Sequence, residues 1–207
     1  MALIHEATLT PSKLELLAAW LPGRPWAGDV TGLRRLGAYR FDDPDGEVGI
    51  ETHILSTSGG HLLQVPLTYR GAALEGAEEF LVCTMEHSVL GRRWIYDATG
   101  DPVYAGVLAS VLLAGAVQAE ELVEGADAPR EPSVRVTGSG PGSRGVPTIS
   151  GVDASSDGST TLMETSGDLR IVICRRLDPS APSRDRESIL TGIWPGREAP
   201  VLLAYVA

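Results

Sequence analysis

The groups that could do chemistry in this 207-residue chain are four histidines, two cysteines and an excess of carboxylates. His5, His53, His61 and His87 include no pair at helical i,i+4 spacing, and no cluster of Cys, Asp or Glu completes a metal set around them. His53 and His61 flank one expected hairpin and read as surface or structural. His87, beside Glu86, is the histidine placed to titrate in a pocket, against the plainer reading of a hydrogen-bonded strand residue. The run Gly138 to Gly145 invites a phosphate-cradle reading. A phosphate loop needs a lysine followed by Ser or Thr at the start of a helix. Here Val146 and Pro147 follow, and they favour extended chain, so the run reads as a flexible loop. Glu75, Glu78 and Glu79 read as a solvated face rather than a glycosidase pair. No Ser-His-Asp order and no G-x-S-x-G elbow stands out. Arg92, Arg93, Trp94 and Tyr96 gather guanidinium and aromatic groups on one strand. With His87 they form the candidate ligand-binding set, since aromatics stack on sugars and arginines pair with acids. The competing reading puts Trp94 and Tyr96 in the core with the arginines on the rim. No catalytic residue is assigned and no cofactor is expected.

The elements that must position these groups follow from pattern. Thr10, Pro11, Ser12 and Glu15 carry helix-start signals, including a capping box, for a helix to Trp20 that Pro22 stops. Leu33–Phe41, Glu47–Thr57, Leu62–Tyr69, Phe80–Val89 and Arg93–Tyr96 read as strands of an antiparallel meander, with Val48, Ile50 and Ile54 on one face of the second. DDPDG (Asp42–Gly46) and Ser58-Gly59-Gly60 read as turns. Asp101 and Pro102 open a second, strongly apolar helix running to about Val123, which is expected to cross the concave face of the sheet. Residues 125–133 read as a polar linker. Thr160–Met163, Leu169–Leu177 and Val201–Val206 read as strands of a small β-rich C-terminal unit.

Composition removes several classes of partner. A net charge of −10 and a pI near 4.8 repel phosphate backbones and anionic lipid, so neither nucleic acid nor membrane is expected. The longest apolar run, Val103–Ala119, is broken by Gly106 and Gly115 and ends in Glu120 and Glu121. The N-terminal MALIHEATLT lacks the basic region of a signal peptide, and a cytoplasmic location is expected. Cys83 and Cys174 sit in strand-like runs, where a thiol behaves as a small hydrophobe.

Four stretches in order, LTPSKLELLAAWLP, LGAYRFDDPDGEVGIE, VPLTYRGAALEGAEE and EHSVLGRRWIYDATGDP, resemble the N-terminal cap domain of the actinobacterial maltokinase-like family, most closely its stand-alone, kinase-less members. The resemblance covers about Ile4 to Val123. It implies an α+β fold: a curved antiparallel sheet with a packed helix in a cystatin-like arrangement over residues 1–124. A linker (125–133) and a β-rich unit similar to a degenerate kinase small lobe (134–207) would follow. Its metabolic setting is sugar phosphorylation, trehalose and glycogen. In that alignment LRIVICRRL (Leu169–Leu177) matches the strand bearing the ATP-orienting lysine, with Val172 in the lysine's place. The large lobe with its catalytic aspartate is not matched, so no phosphoryl transfer is expected. The branching-enzyme name that such relatives often carry would require a (β/α)₈ barrel, which a chain of this length and pattern does not supply. The implied function is a non-catalytic accessory or regulatory protein of α-glucan, trehalose or sugar-phosphate metabolism. Its expected partner is a kinase or glucan-metabolism enzyme, docked at a strand edge. The alternative is a carbohydrate-binding module holding a small sugar between the sheet and the second helix, near His87, Trp94 and Tyr96. An enzyme of unrecognised chemistry is the third reading.

Overall fold

A computed structural model describes residues 2–4, 7–125, 127–140, 142, 145–181 and 186–207. His5 lies outside them, as do Pro141, Ser143 and Arg144 of the glycine-rich run. Strands β1 (Ala2–Ile4) and β2 (Leu9–Thr10) precede helix α1 (Lys13–Trp20). Ser12 caps α1. Its hydroxyl accepts from the Glu15 N–H at 3.4 Å, and the Glu15 carboxylate accepts from the Ser12 N–H at 2.9 Å. This is the reciprocal capping box that the sequence contains. Thr10 does not join it, because it pairs with Glu86 as part of β2.

The five expected strands follow as β3 (Arg34–Phe41), β4 (Gly49–Ser56), β5 (Leu62–Arg70), β6 (Leu81–His87) and β7 (Gly91–Asp97). Their order departs from a simple meander: β2-β6-β7-β5-β4-β3. The long connection at 71–80 carries the chain past β5's neighbour position, so β7 returns to pair with Leu67–Arg70 and β6 lies outside it. The sheet curls into a half-barrel. Alternation then sorts its faces. On the inner face, Leu55, His53, Glu51 and Gly49 of β4 stand opposite Leu63, Val65, Leu67 and Tyr69 of β5. The apolar end of that ladder buries with Leu16 and Leu17 of α1, Trp26 and Ile95.

Helix α2 (Pro102–Ala114) starts where Asp101 accepts from the Val103 N–H at 3.0 Å. It ends at Gly115, whose left-handed φ of +72° closes the last turn, well short of Val123. Strand β8 (Glu121–Val123) then runs parallel to β1. α2 does not cross the concave face. That face is taken by α1, and α2 lies on the outer face instead, where Leu108, Val111 and Leu112 pack with Ile50 and Ile54.

On the far side of α2 is a second antiparallel sheet. Its strands are β9 (Arg135–Gly138), β10 (Val152–Asp157), β11 (Thr160–Thr165), β12 (Arg170–Cys174), β14 (Ile189–Trp194) and β15 (Arg197–Val206), in the order β10-β11-β12-β15-β14-β9. Met163, Ile171, Ile173, Leu190 and Leu203 share one buried cluster with α2 and the outer face of the half-barrel. The described glycines of the loop serve packing here. A Cβ on Gly138 would lie 2.5 Å from the Val111 carbonyl oxygen, and one on Gly140 would lie 2.4 Å from that of Leu112.

The run Leu169–Leu177 is two strands, not one. After β12 the chain turns at Arg175 and continues as β13 (Arg176–Leu177), which pairs with β5 and so joins the first sheet. Arg175 is fully buried. Its Nη2 donates to both oxygens of Asp97 at 2.7 and 2.6 Å and to Thr99 at 2.9 Å, and its Nε donates to Thr161 at 2.8 Å. The guanidinium lies 4.7 Å from the Trp26 ring centre. Gln64 makes the second buried tie, donating to the carbonyls of Leu203 at 2.9 Å and Cys174 at 3.2 Å while accepting from Tyr39 at 3.1 Å. No helix among the described residues is long and apolar enough to cross a membrane.

Removing one partner of a buried pair leaves the other charge without compensation, at about 3–5 kcal/mol. Arg175→Met is therefore expected to lower unfolding stability by about that amount, read as a fall in the urea midpoint at constant slope. The double variant Arg175→Met/Asp97→Asn should recover part of the loss.

Candidate functional site

The polar end of the inner-face ladder opens into a cavity of about 610 Å³ at the mouth of the half-barrel. Six strands of the curl contribute to its wall: Leu9 of β2, Met85 and His87 of β6, Arg93 of β7, Tyr69 of β5, Glu51 of β4 and Arg40 of β3. Lys13, in the first turn of α1, reaches in from above. A ring of contributors from six strands is possible only on the concave side.

Glu51, 1% exposed, sits at the centre of the charges. Its carboxylate pairs with Lys13, with Arg40 at 3.2 Å and with Arg35 at 3.5 Å. His53 Nε2 stands 3.7 Å from the same carboxylate and 3.4 Å from the Tyr69 hydroxyl. Lys13 Nζ lies 5.4 Å from the centre of the Tyr69 ring. Arg40 also approaches Glu121 at 3.8 Å, and Glu121 pairs in turn with Arg130. Burial works against a charged Glu51. The positive charge around it, from His53 when protonated, Lys13 and Arg40, outweighs burial and holds the carboxyl far below the usual range. Burial is the main cause that draws His53 down to about 4, so it is neutral at pH 7 and Lys13 and Arg40 neutralise Glu51 there. Burial also draws Lys13 below an ordinary lysine, against the pull of Glu51. Burial first, and the charge of Glu51 second, push the Tyr69 phenol well up.

Chemically this is a pocket of mixed donors and acceptors with apolar walls. Lys13, Arg40 and Arg93 supply donors, Glu51 and Glu47 acceptors, and Phe41, Met85 and Leu90 the apolar surface. The Nε atoms of Arg40 and Arg93 are buried with no hydrogen-bond partner. Such an arrangement suits a small hydroxylated molecule.

The residues singled out from sequence divide between two faces of the sheet. His87 and Arg93 line the cavity. His87 also shapes the β6–β7 turn, its Nδ1 accepting from the N–H groups of Val89 at 3.2 Å and Leu90 at 3.1 Å. Arg93 donates to the Leu90 carbonyl at 2.7 Å. Arg92 points outward and pairs with Glu86 at 2.9 Å, both well exposed. Alternation along β7 turns Trp94 and Tyr96 to the opposite face, where the buried Tyr96 hydroxyl accepts from the Leu74 N–H at 2.8 Å. The space between the sheet and α2, where a sugar pocket was expected, is filled by apolar core. Sequence reasoning missed Lys13, Arg40, Glu51 and Tyr69. A signal existed: Glu51 and His53 alternate with Ile50 and Ile54 on one strand, and that pattern is equally that of a solvent face.

Residues 20–101 match the family model for the maltokinase N-terminal cap domain. The chain contains a maltokinase cap-like domain. Within it lie β3 to β7, and so most of the cavity wall, while Lys13 and Leu9 precede it. A solved structure described as glucosamine kinase in complex with glucosamine, ADP and inorganic phosphate matches 96% of this chain, with TM-score 0.51 and 18% identity. At that identity the likeness is one of fold. This chain spans 41% of that kinase chain. No curated protein matches the sequence.

The cap-like domain carries a defined pH signature. The unfolded chain protonates His53 near 6.5, and the folded one only near 4. Acid therefore favours unfolding across that window. The stability present above pH 6.5 is expected to fall by about 3 kcal/mol as pH drops to 4. Urea midpoints at pH 7, 5.5 and 4.5 should show this decline, and His53→Gln should flatten it.

Proposed function

We propose that this chain is a non-catalytic, ligand-binding accessory protein of sugar metabolism, and that the mouth of the half-barrel holds a small sugar. The observation that carries the reading is the cavity itself: about 610 Å³, with Lys13, Arg40, Glu51 and Arg93 converging on it. A structural role alone does not account for a buried carboxylate held among three cations beside open space, since buried ion pairs are weak stabilisers. The maltokinase cap-like domain and the fold likeness to a glucosamine kinase support the sugar-related setting. Val172, at the position that the resemblance gives to an ATP-orienting lysine, is a buried aliphatic residue of β12, which supports a binding role over phosphoryl transfer.

One observation favours a second reading, docking of a kinase or glucan-metabolism enzyme. β2 pairs only with Glu86 and His87. The rest of β6, from Leu81 to Met85, has no strand on its outer side among the described residues. Leu81, at the start of that edge, is exposed. An open edge of this kind can accept a partner's strand.

Thermal unfolding and titration calorimetry against maltose, trehalose, glucosamine, maltooligosaccharides and ATP–magnesium separate these readings. One sugar at a hundredfold its Kd should stabilise the chain by about 2.7 kcal/mol, and Arg93→Leu should abolish that gain. Stabilisation by ATP–magnesium would contradict the non-catalytic reading. If no sugar acts, and a captured partner is lost with Leu81→Lys, the docking reading replaces it.

A further inference from the structure

Lys13 is the one lysine in the chain; every other basic side chain is an arginine or a histidine. That single amine stands in the wall of the half-barrel mouth. The capping box at Ser12 starts α1 one residue before it and so fixes where its backbone lies. The Lys13 side chain keeps 21% of its surface exposed, whereas Glu51, which it pairs with, keeps 2%. The amine therefore lies between the buried charges and the open cavity, with the centre of the Tyr69 ring 5.4 Å from its nitrogen.

The cluster behind Lys13 carries more positive charge than its carboxylate needs. Besides Lys13, Glu51 has Arg40 at 3.2 Å and Arg35 at 3.5 Å. Glu121, the other carboxylate that Arg40 approaches, is already paired with Arg130. A guanidinium does not release its proton in a protein, and a buried ammonium does so readily. Lys13 is thus the group through which the cluster can shed charge. Glu51 then still keeps two guanidinium partners, and it can still accept an N–H from the neutral amine, whose lone pair is left free. Burial first, with the charges of Arg40 and Arg35 adding to it, draws Lys13 below an ordinary lysine against the pull of Glu51. A desolvated lysine beside other cations is an activated nucleophile.

The cavity decides what meets that nucleophile. Its mixed donors, acceptors and apolar walls suit a small hydroxylated molecule, and an amine reacts with such a molecule at a carbonyl carbon. Reducing sugars carry one, as the aldehyde of the open chain. Sugars without a free carbonyl do not. We infer that Lys13 captures a small hydroxylated aldehyde, the open-chain form of a reducing sugar, as a reversible imine in the wall of the mouth. The inference rests on the mouth being a sugar site and narrows its ligands to sugars with a free carbonyl. The step balances without a further reactant. The ammonium gives a proton to solvent, and its lone pair forms the C–N bond. The nitrogen loses a second proton as the carbonyl oxygen gains one. The C–O bond of this carbinolamine then breaks, and the hydroxyl leaves as water with the last proton of the nitrogen. Nothing is oxidised or reduced.

A single lysine makes the test clean. The full chain is incubated with D-glyceraldehyde and cyanoborohydride, which reduces an imine to a stable amine, both folded and unfolded in guanidinium chloride. Trypsin does not cut at a trapped Lys13, so a peptide of residues 1–34 replaces 1–13 and 14–34. Reaction at the N-terminal amine leaves that cut intact. In the folded chain, trapping at Lys13 should saturate with aldehyde and run roughly tenfold or more faster than in the unfolded chain. Its rate should also rise with pH at a lower midpoint than in the unfolded chain. Arg40→Met removes a neighbouring cation and leaves the amine, so it should slow trapping severalfold. The inference is overturned if only the N-terminal amine is trapped, if the folded chain reacts no faster than the unfolded one, or if a folded Arg40→Met chain reacts at the original rate. Calorimetry with maltitol, a reduced sugar with no carbonyl, tells the two failures apart. Binding of maltitol without trapping at Lys13 leaves the mouth a sugar site and removes the role of the amine, whereas neither binding nor trapping removes both.

Discussion

The structure turns on one guanidinium. Arg175 sits where β12 gives way to β13, so a single residue step carries the chain from the second sheet into the first. Its backbone is committed on both sides: its N–H donates to the Ser159 carbonyl at 2.8 Å, and its carbonyl accepts from the Gln64 N–H at 2.9 Å. The side chain then fixes the angle between the sheets: its Nη2 binds both oxygens of Asp97 on β7 and its Nε binds Thr161 on β11. Replacing such a pair with matched apolar groups is often neutral or stabilising. The pair is better read as a device for specificity: only one docking of the two sheets lets Arg175 meet Asp97, Thr99 and Thr161 at once, and every other docking strands a buried charge.

Strand alternation is the second constraint, and it explains what the sequence revealed and what it hid. Strands β3 to β7, the capping box at Ser12 and Glu15, and the α2 start at Asp101 rest on local pattern and were all legible. The β5-β7-β6 order was not, because pairing across the 71–80 connection is long-range. Neither was the end of α2: an apolar run continues past it, and only the left-handed geometry at Gly115 breaks the helix. Leu169–Leu177 reads as one apolar strand, yet Arg175 in its middle divides it. Paired arginines at a strand end look like surface residues until Asp97, 78 positions earlier, is known to be waiting.

The candidate site was half legible for the same reason. His87 and Arg93 were found from residue type, whereas Trp94 and Tyr96 were grouped with them by nearness in sequence, and a period of two separates neighbours. Glu51 and His53 occupy the face of β4 that an open sheet would show to solvent. The sheet curls, so that face becomes the interior, and one pattern of alternation yields core at the Leu55–Leu63 end and a charged cavity at the Glu51–Tyr69 end. Curl depends on tertiary packing. No window of sequence shows it.

Strand β7 joins the half-barrel mouth to the tie between the sheets. Arg93, in the wall of the half-barrel mouth, and Asp97, bound by Arg175, are four residues apart on the same face, or about 13 Å along an extended strand. Between them Ile95 is completely buried in the cluster that holds α1. A strand paired on both sides and packed at its centre is stiff, and coupling between sites needs an element with two arrangements to choose between. Nothing in β7 provides a second arrangement. The half-barrel mouth and the Asp97–Arg175 tie are therefore held at a fixed separation, so a ligand in the mouth should raise the free energy of unfolding by its own mass-action term without disturbing the docking of the two sheets.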